Sequence, residues 1–155
     1  MIAHRLENFL IEHDIAYDLV CHPHAASSLE TAELAHVPGG RMAKTVVLED
    51  DQGYLMAVVP ASSRVDLGEL HRQMRRNLGL ATENELQGLF DDCELGAIPP
   101  VGMAYGIETV VDDSLAEQPE IYFEAGDHES LVRVSGEGFE QLMDKVQYGS
   151  FSRPM

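Results

Sequence analysis

Three observations predict a mixed α/β fold with a mostly antiparallel sheet. Apolar residues recur at helical spacing near the start of the chain. β-rich runs dominate its middle and last third. Ser27, Asp66 and Thr82 each stand three residues ahead of a Glu. The first two differ in period, because residues three or four apart share a helix face whereas every second residue shares a strand face. The third is the spacing of a helix N-cap. With 155 residues, 45% of them hydrophobic, and no internal repeat or linker, the chain suits one domain spanning residues 1–146.

Ile2, Leu6, Phe9, Leu10 and His13 place one stripe of an opening helix on the core. A short strand is expected over residues 17–21. Ser27 and Glu30 have capping-box spacing ahead of Leu29, Ala32 and Leu34, so a second helix starts near Ser28 and ends before Pro38. Residues 44–48 and 54–59 then read as two strands joined by the polar turn 49–53. Asp66 with Glu69 opens a helix through Arg76 that Gly79 closes, and Thr82 with Glu85 opens another before Leu89 and Phe90. Strands are expected over residues 107–111, 120–124 and 130–134, and a last helix over residues 136–146. Residues 147–155 show no period and are expected to form a loose tail.

Charge narrows the function classes. Twenty-seven acidic against ten basic residues give a formal charge of −17, which excludes a general polyanion-binding surface such as a DNA-binding face. Basic residues gather only locally, at Arg41 with Lys44 and at Arg72, Arg75 and Arg76. The last three have spacings that bring them together on a helix. No apolar run approaches the roughly 20 residues of a membrane span, and the N-terminus reads as a helix start rather than a signal peptide, so a cytoplasmic protein is expected. Cys21 and Cys93 make neither a disulfide framework nor a zinc pattern.

Side-chain chemistry offers few candidates. No serine sits in a nucleophile elbow, and the glycine-rich segment lacks both Walker and dinucleotide spacing. His22 and His24 have no clear third partner for a metal, and no cofactor is expected. Lys44 shares a strand face with Val46 and Leu48, so it either snorkels into water or meets an anion at the edge of an apolar cavity. His128, between two predicted strands, either moves a proton or is a plain turn residue.

The segment ELGAIPPVG, residues 94–102, is the most unusual stretch. Gly96 and Gly102 permit backbone angles closed to other residues, while Pro99 and Pro100 are stiff and lack N–H donors. The amides of Gly96, Ala97, Ile98, Val101 and Gly102 remain to hold a carbonyl oxygen, or the segment is simply a turn.

In order, Lys44-Thr45-Val-Val, Gly96-Ala97-Ile98-Pro99-Pro100-Val-Gly102 and Ala125-Gly126-Asp-His128 resemble the YbaK and prolyl-tRNA-synthetase-associated editing-domain family over about residues 2–146. The resemblance implies a curved or barrel-like sheet and metal-independent hydrolysis of the ester of mischarged tRNA, often one related to tRNA-Pro. It implies that Lys44 meets the terminal adenosine, that residues 96–100 hold the aminoacyl group, and that His128 acts beside them. Thr45 and Gly126 fall next to these positions. The acidic surface confines any tRNA contact to the acceptor end, with Arg41, Arg72, Arg75 and Arg76 available for it, or calls for a synthetase partner that delivers the tRNA.

Overall fold

The structure, a computed structural model, describes residues 2–25 and 27–155. Met1, where the expected domain begins, lies outside the described residues. Among the described residues five α-helices are found near where capping and period place them, the last ending four residues early: α1 (His4–Glu12), α2 (Ser28–Leu34), α3 (Leu67–Met74), α4 (Glu83–Leu89) and α5 (Gly136–Leu142). The side chains of Ser27, Asp66 and Thr82 each accept from the backbone N–H three residues on. At Thr82 the Glu85 side chain completes a full capping box.

The strands are β1 (Asp18–Cys21), β2 (Met42–Asp50), β3 (Gly53–Pro60), β4 (Ser63–Val65), β5 (Gly79–Leu80), β6 (Glu108–Asp112), β7 (Glu120–Glu124), β8 (Ser130–Ser135), β9 (Gln147–Gly149) and β10 (Ser152–Pro154). Eight of them form one sheet in the order β1-β8-β7-β2-β3-β6-β9, with β5 added to β2. The β2–β3 hairpin lies at its centre. It is antiparallel from Ala43 opposite Pro60 to Asp50 opposite Gly53. The sheet is more mixed than expected, since β2–β7, β3–β6 and β6–β9 pair in parallel.

β3 explains the long apolar run at residues 55–59, because helices cover both of its faces. Met56 and Val58 join the main core with Leu6, Leu10, Phe123 and Phe139. Leu55, Ala57 and Val59 face a second cluster closed by Leu70 of α3 and Phe151. A third, smaller cluster puts Ala32 and Val37 of the α2 region over Met42 and Leu131.

Two expectations need correction. Gly79 does not close α3: Arg75 does so in the left-handed conformation with φ 54°, and Gly79 pairs with β2 instead. Nor are residues 147–155 loose. Phe151 is buried in the second cluster, and its amide and that of Ser152 both donate to Asp112 Oδ1 at 3.0 Å. This anchor holds β9 beside β6 and β10 beside β4. Strands of three residues leave too short a period to read in sequence.

Arg76 also departs from expectation. Its side chain is 9% exposed and grips Asp50, itself 5% exposed, through two hydrogen bonds of 2.7 and 2.8 Å. It also donates to the Gly53 carbonyl at 3.3 Å, so it ties the end of α3 to the central hairpin. The guanidinium holds the Asp50 carboxyl down at about 2. A lowered pKa contributes stability that is present above the unfolded carboxyl value, about 3.9, and is lost as pH falls through the folded value. Asp50→Asn is therefore expected to lower the melting temperature at neutral pH. In thermal melts the gap to the wild type should narrow as pH drops below about 4, and a constant gap would contradict the ion pair.

Candidate functional site

The β2 strand sends neighbouring side chains to opposite faces of the sheet. Val46 and Leu48 pack with the cluster closed by Leu70 and Phe151, and Lys44 belongs to that row. Thr45 belongs to the other row, with Ala43 and Val47 of the main core. There its hydroxyl donates to the Ile98 carbonyl at 2.9 Å. One dipeptide thus supplies a cation and a tether for the loop at residues 94–102.

The loop is tied at its start as well. The Glu94 amide donates to the Gly126 carbonyl at 2.7 Å, and His128 Nε2–H donates to the Leu95 carbonyl at 2.5 Å. The Gly126 acceptor and the His128 donor both come from the turn between β7 and β8, where Gly126 has φ 119° and His128 has φ 60°. A side chain at Gly126 would place its Cβ 2.9 Å from that of Ala3, so the turn needs glycine both for angle and for space. The three sequence motifs are thereby joined by hydrogen bonds.

Lys44, Thr45, Ala61 and Gly96 line a cleft of about 360 Å³, with Ser27 and Ser28 at the start of α2 on one side and Met155 on the other. Half-burial lowers the Lys44 pKa, and among the described residues no acidic side chain pairs with it to offset that effect. Its Nζ lies 3.7 Å from the Met155 sulfur. A larger cavity of about 690 Å³ lies between the start of α1 and residues 91–94, with Gly126 and Asp127 on its wall. Glu7, Asp91, Asp92, Glu94 and Asp127 make that wall acidic, so an anionic ligand would be repelled there. Charge favours the smaller cleft.

The remaining expected site residues divide. Gly96, with φ 82°, is exposed in the cleft, whereas Ala97, Ile98, Pro99, Pro100 and Gly102 are buried. The Ala97 amide is already taken by the Glu94 carbonyl at 3.1 Å, which removes one expected donor. His128 is buried behind the loop and is not among the cleft-lining residues, and Gly126 lies on the other cavity. Arg41 pairs with Glu120 at 3.8 Å and Arg72 with Glu69; Arg75 is exposed and Arg76 is committed to Asp50. The expected group of three arginines is therefore split. Burial pushes the Cys93 thiol up to about 12, which removes it as a nucleophile near neutrality. Among the described residues no three His, Cys, Asp or Glu side chains are grouped to hold a metal ion. Met155 and Ala61 were not readable as cleft residues because their places follow from β10 and from the end of the hairpin.

Gly102 ends the loop against β6. A Cβ there would lie 2.1 Å from Thr109 Oγ1 and 2.7 Å from the Ile107 carbonyl oxygen. Gly102→Ala is expected to destabilise the protein by roughly 1–3 kcal/mol through overpacking. Denaturant unfolding measures this, and an unchanged midpoint would show that the loop end relaxes freely.

Comparison with known proteins agrees with the motif order. No curated protein matches the sequence. Among solved structures, a proposed trans-editing enzyme for prolyl-tRNA synthetase superposes with a TM-score of 0.84 at 24% identity, over 97% of this chain and 96% of that one. A structure from computational grafting of linear epitopes onto scaffold proteins gives 0.84 at 21% identity, over 99% and 97%. A proposed signal-transduction protein from Marinobacter aquaeolei VT8 gives 0.78 at 22% identity, over 96% of this chain and 30% of that one. At such identities these likenesses establish the fold. The family model described as the aminoacyl-tRNA editing domain matches residues 22–142, a stretch that contains Lys44, the loop and His128, and the chain belongs to that family.

Proposed function

We propose that the chain is a single-domain, metal-independent deacylase that clears mischarged aminoacyl-tRNA in trans. The observation that carries this reading is the cleft in which an unpaired, half-buried lysine stands beside a loop held by hydrogen bonds from both sides. A lysine there offers a point charge to a phosphate or ribose of the terminal adenosine. Gly96 removes side-chain bulk from the approach of the ester, whose carbonyl the rigid backbone of residues 96–100 orients.

Attack on the ester carbon by water, oriented by the protein or by the neighbouring ribose hydroxyl, breaks the bond to the ribose oxygen; that oxygen takes up the proton the water loses, and the amino acid leaves as the free acid. The protein contributes position and charge stabilisation rather than a covalent intermediate. The proposal of metal independence rests on the donor set, since the described lining residues include no His, Cys, Asp or Glu side chain. The tRNA is met at its acceptor end, with Arg41, Arg72 and Arg75 as the proposed contacts, and a synthetase partner would offset the weak affinity of so acidic a surface. A tRNA-Pro substrate fits the proposed role of the prolyl trans-editing structure that shares the fold.

One observation favours a second reading. Lys44 is the only titratable side chain among the cleft-lining residues, so no general base stands ready, which suits a module that binds an aminoacyl or nucleotide-like ligand without turnover. Release of amino acid from tRNAs charged with Ala, Cys, Ser and Thr separates the two. The deacylase reading expects release from at least one, and a loss of about 100-fold or more in Lys44→Ala. That variant should change stability by no more than about 0.5 kcal/mol. Full activity in Lys44→Ala would overturn the site, and ligand-induced stabilisation with no release from any tRNA would select the binding module.

A further inference from the structure

The ribbon of β4 and β10 carries an arrangement of charge that the fold does not require. Its strands pair antiparallel with Arg64 directly opposite Arg153. Residues opposite one another put their side chains on the same face, with Cβ atoms about 5 Å apart, and like charges there are destabilising. Both arginines are exposed, while Val65, one residue on, turns to the other face and packs on the second cluster. The chain has only ten lysines and arginines against 27 acidic residues. Two of the ten nevertheless stand face to face.

Local structure accounts for one member of the pair. Arg153 Nε donates to Asp66 Oδ2 at 2.5 Å, and Asp66 is also the N-cap of α3. Arg64 makes no side-chain hydrogen bond or ion pair among the described residues. One aspartate thus serves two guanidinium groups, and the ribbon keeps a positive charge on a strongly acidic protein. Charge on an edge strand also discourages pairing with other chains. A single arginine would suffice for that, and the second, directly opposite, adds only repulsion.

The ribbon leads to the cleft. The Met155 amide donates to the Ser62 carbonyl at 3.1 Å, which continues the pairing one step beyond Pro154 and Ser63. Two residues from Arg153, Met155 returns to the face of the arginines. Its sulfur lies 3.7 Å from Lys44 Nζ, on the cleft wall. A strand advances roughly 7 Å over two residues, so the arginine pair stands one such step from that wall. No Asp or Glu is among the described lining residues of the cleft, whereas Asp66 and Glu69 line the hollow beside Arg153 at the start of α3. An anion on the ribbon is therefore repelled from α3 and drawn toward Arg64 and Lys44.

Cations set one strand step apart match a chain of repeated charges better than a lone anion. We propose that the β4–β10 ribbon is an RNA-contacting surface on which Arg64 and Arg153 hold backbone phosphates of the single-stranded 3′ segment whose last nucleotide enters the cleft at Lys44. A phosphate between the two guanidinium groups turns their repulsion into attraction for a shared anion, and each planar fork can bind it through two hydrogen bonds. Such contacts set the path of the strand and carry no sequence information. The identity of the occupant rests on the deacylase reading, which supplies an RNA end at Lys44.

Binding of an uncharged hairpin RNA with a short single-stranded 3′ overhang, compared with the same hairpin made blunt, tests the ribbon without ester or turnover. Fluorescence anisotropy over a salt series is the readout. Arg64→Gln, which keeps most of the stem and loses the charge, should weaken binding of the overhang RNA roughly tenfold at low salt. It should also reduce the slope of log affinity against log salt by about 0.7, the share of one single-strand phosphate contact. Blunt RNA should be unaffected. Lys145→Gln removes the same charge from an exposed site beyond α5 and should change neither quantity. Without RNA, Arg64→Gln should melt no lower than the wild type, because the substitution relieves repulsion. A lower melting temperature would mark Arg64 as a structural residue and overturn the proposal. Unchanged overhang binding in Arg64→Gln, an equal loss with blunt RNA or in Lys145→Gln, or no overhang binding by the wild type at low salt would overturn it too. The expected binding results from a protein that releases no amino acid from any tRNA would uphold the ribbon and overturn only the deacylase reading. Release by the wild type with binding unaltered in Arg64→Gln would do the reverse.

Discussion

Two hydrogen bonds into the loop at residues 94–102, from Thr45 to the Ile98 carbonyl and from His128 to the Leu95 carbonyl, are the constraint on which the site depends. Each is worth only about 1 kcal/mol by the usual reckoning. Their effect on position is larger than that figure suggests. The loop has no regular hydrogen-bond ladder, and Pro99 and Pro100 cannot supply one, so its place is set by whatever grips its carbonyls. One grip comes from β2 and the other from the turn joining β7 and β8, and these strands belong to one sheet, because β2 lies beside β7 and β7 beside β8. Sheet register therefore becomes loop position, and loop position determines where Gly96 stands relative to Lys44.

Much of this was legible in the sequence, for reasons that differ from element to element. Helix starts were readable because a capping side chain and its target lie three residues apart, so the determinant is local. The central hairpin was readable because β-rich runs flank a polar turn. The parallel pairings of β6 and β9 and the short strands β4, β5 and β10 were not. Their partners lie far along the chain, and two or three residues show no period. Phe151 illustrates the difficulty: nothing around it marks it as an anchor until Leu70, Val59 and Asp112 are brought to it by the fold.

The site was legible as a set of residues and much less so as an arrangement. Motif order named Lys44, the loop and His128, but a spacing does not reveal which way a side chain turns. His128 reads as a residue beside the substrate, and in the structure its ring is buried and bonded to the Leu95 carbonyl. Arg76 reads as a surface cation and is sequestered by Asp50, because the αL turn at Arg75 redirects the chain after α3. The burial of Glu124 was not legible for a related reason. In a strand that alternates polar and apolar residues, a glutamate reads as solvent-facing, and only the packing of α2 over that face turns it inward.

These placements bear on how such a site can discriminate. The cleft is lined by a lysine, small polar and small apolar residues, Leu29 and Met155, so on the proposed deacylase reading its fixed groups meet what every aminoacyl ester has in common. Selectivity between amino acids must come from volume and shape at the rim, and a difference of one methylene group contributes only about 1–3 kcal/mol. Met155 bears on that rim because it is held by β10 rather than by the cleft itself. Its thioether is flexible and adapts to shape, in contrast to the two grips on the loop. On the proposed reading, a rigid cradle for the shared part of the ligand and a compliant wall for the variable part would come from different elements, the first from β2, β7 and β8 and the second from the C-terminal strand. The loop's position can be conserved physically while the wall changes, because no hydrogen bond to Leu95 or Ile98 passes through residues 152–155.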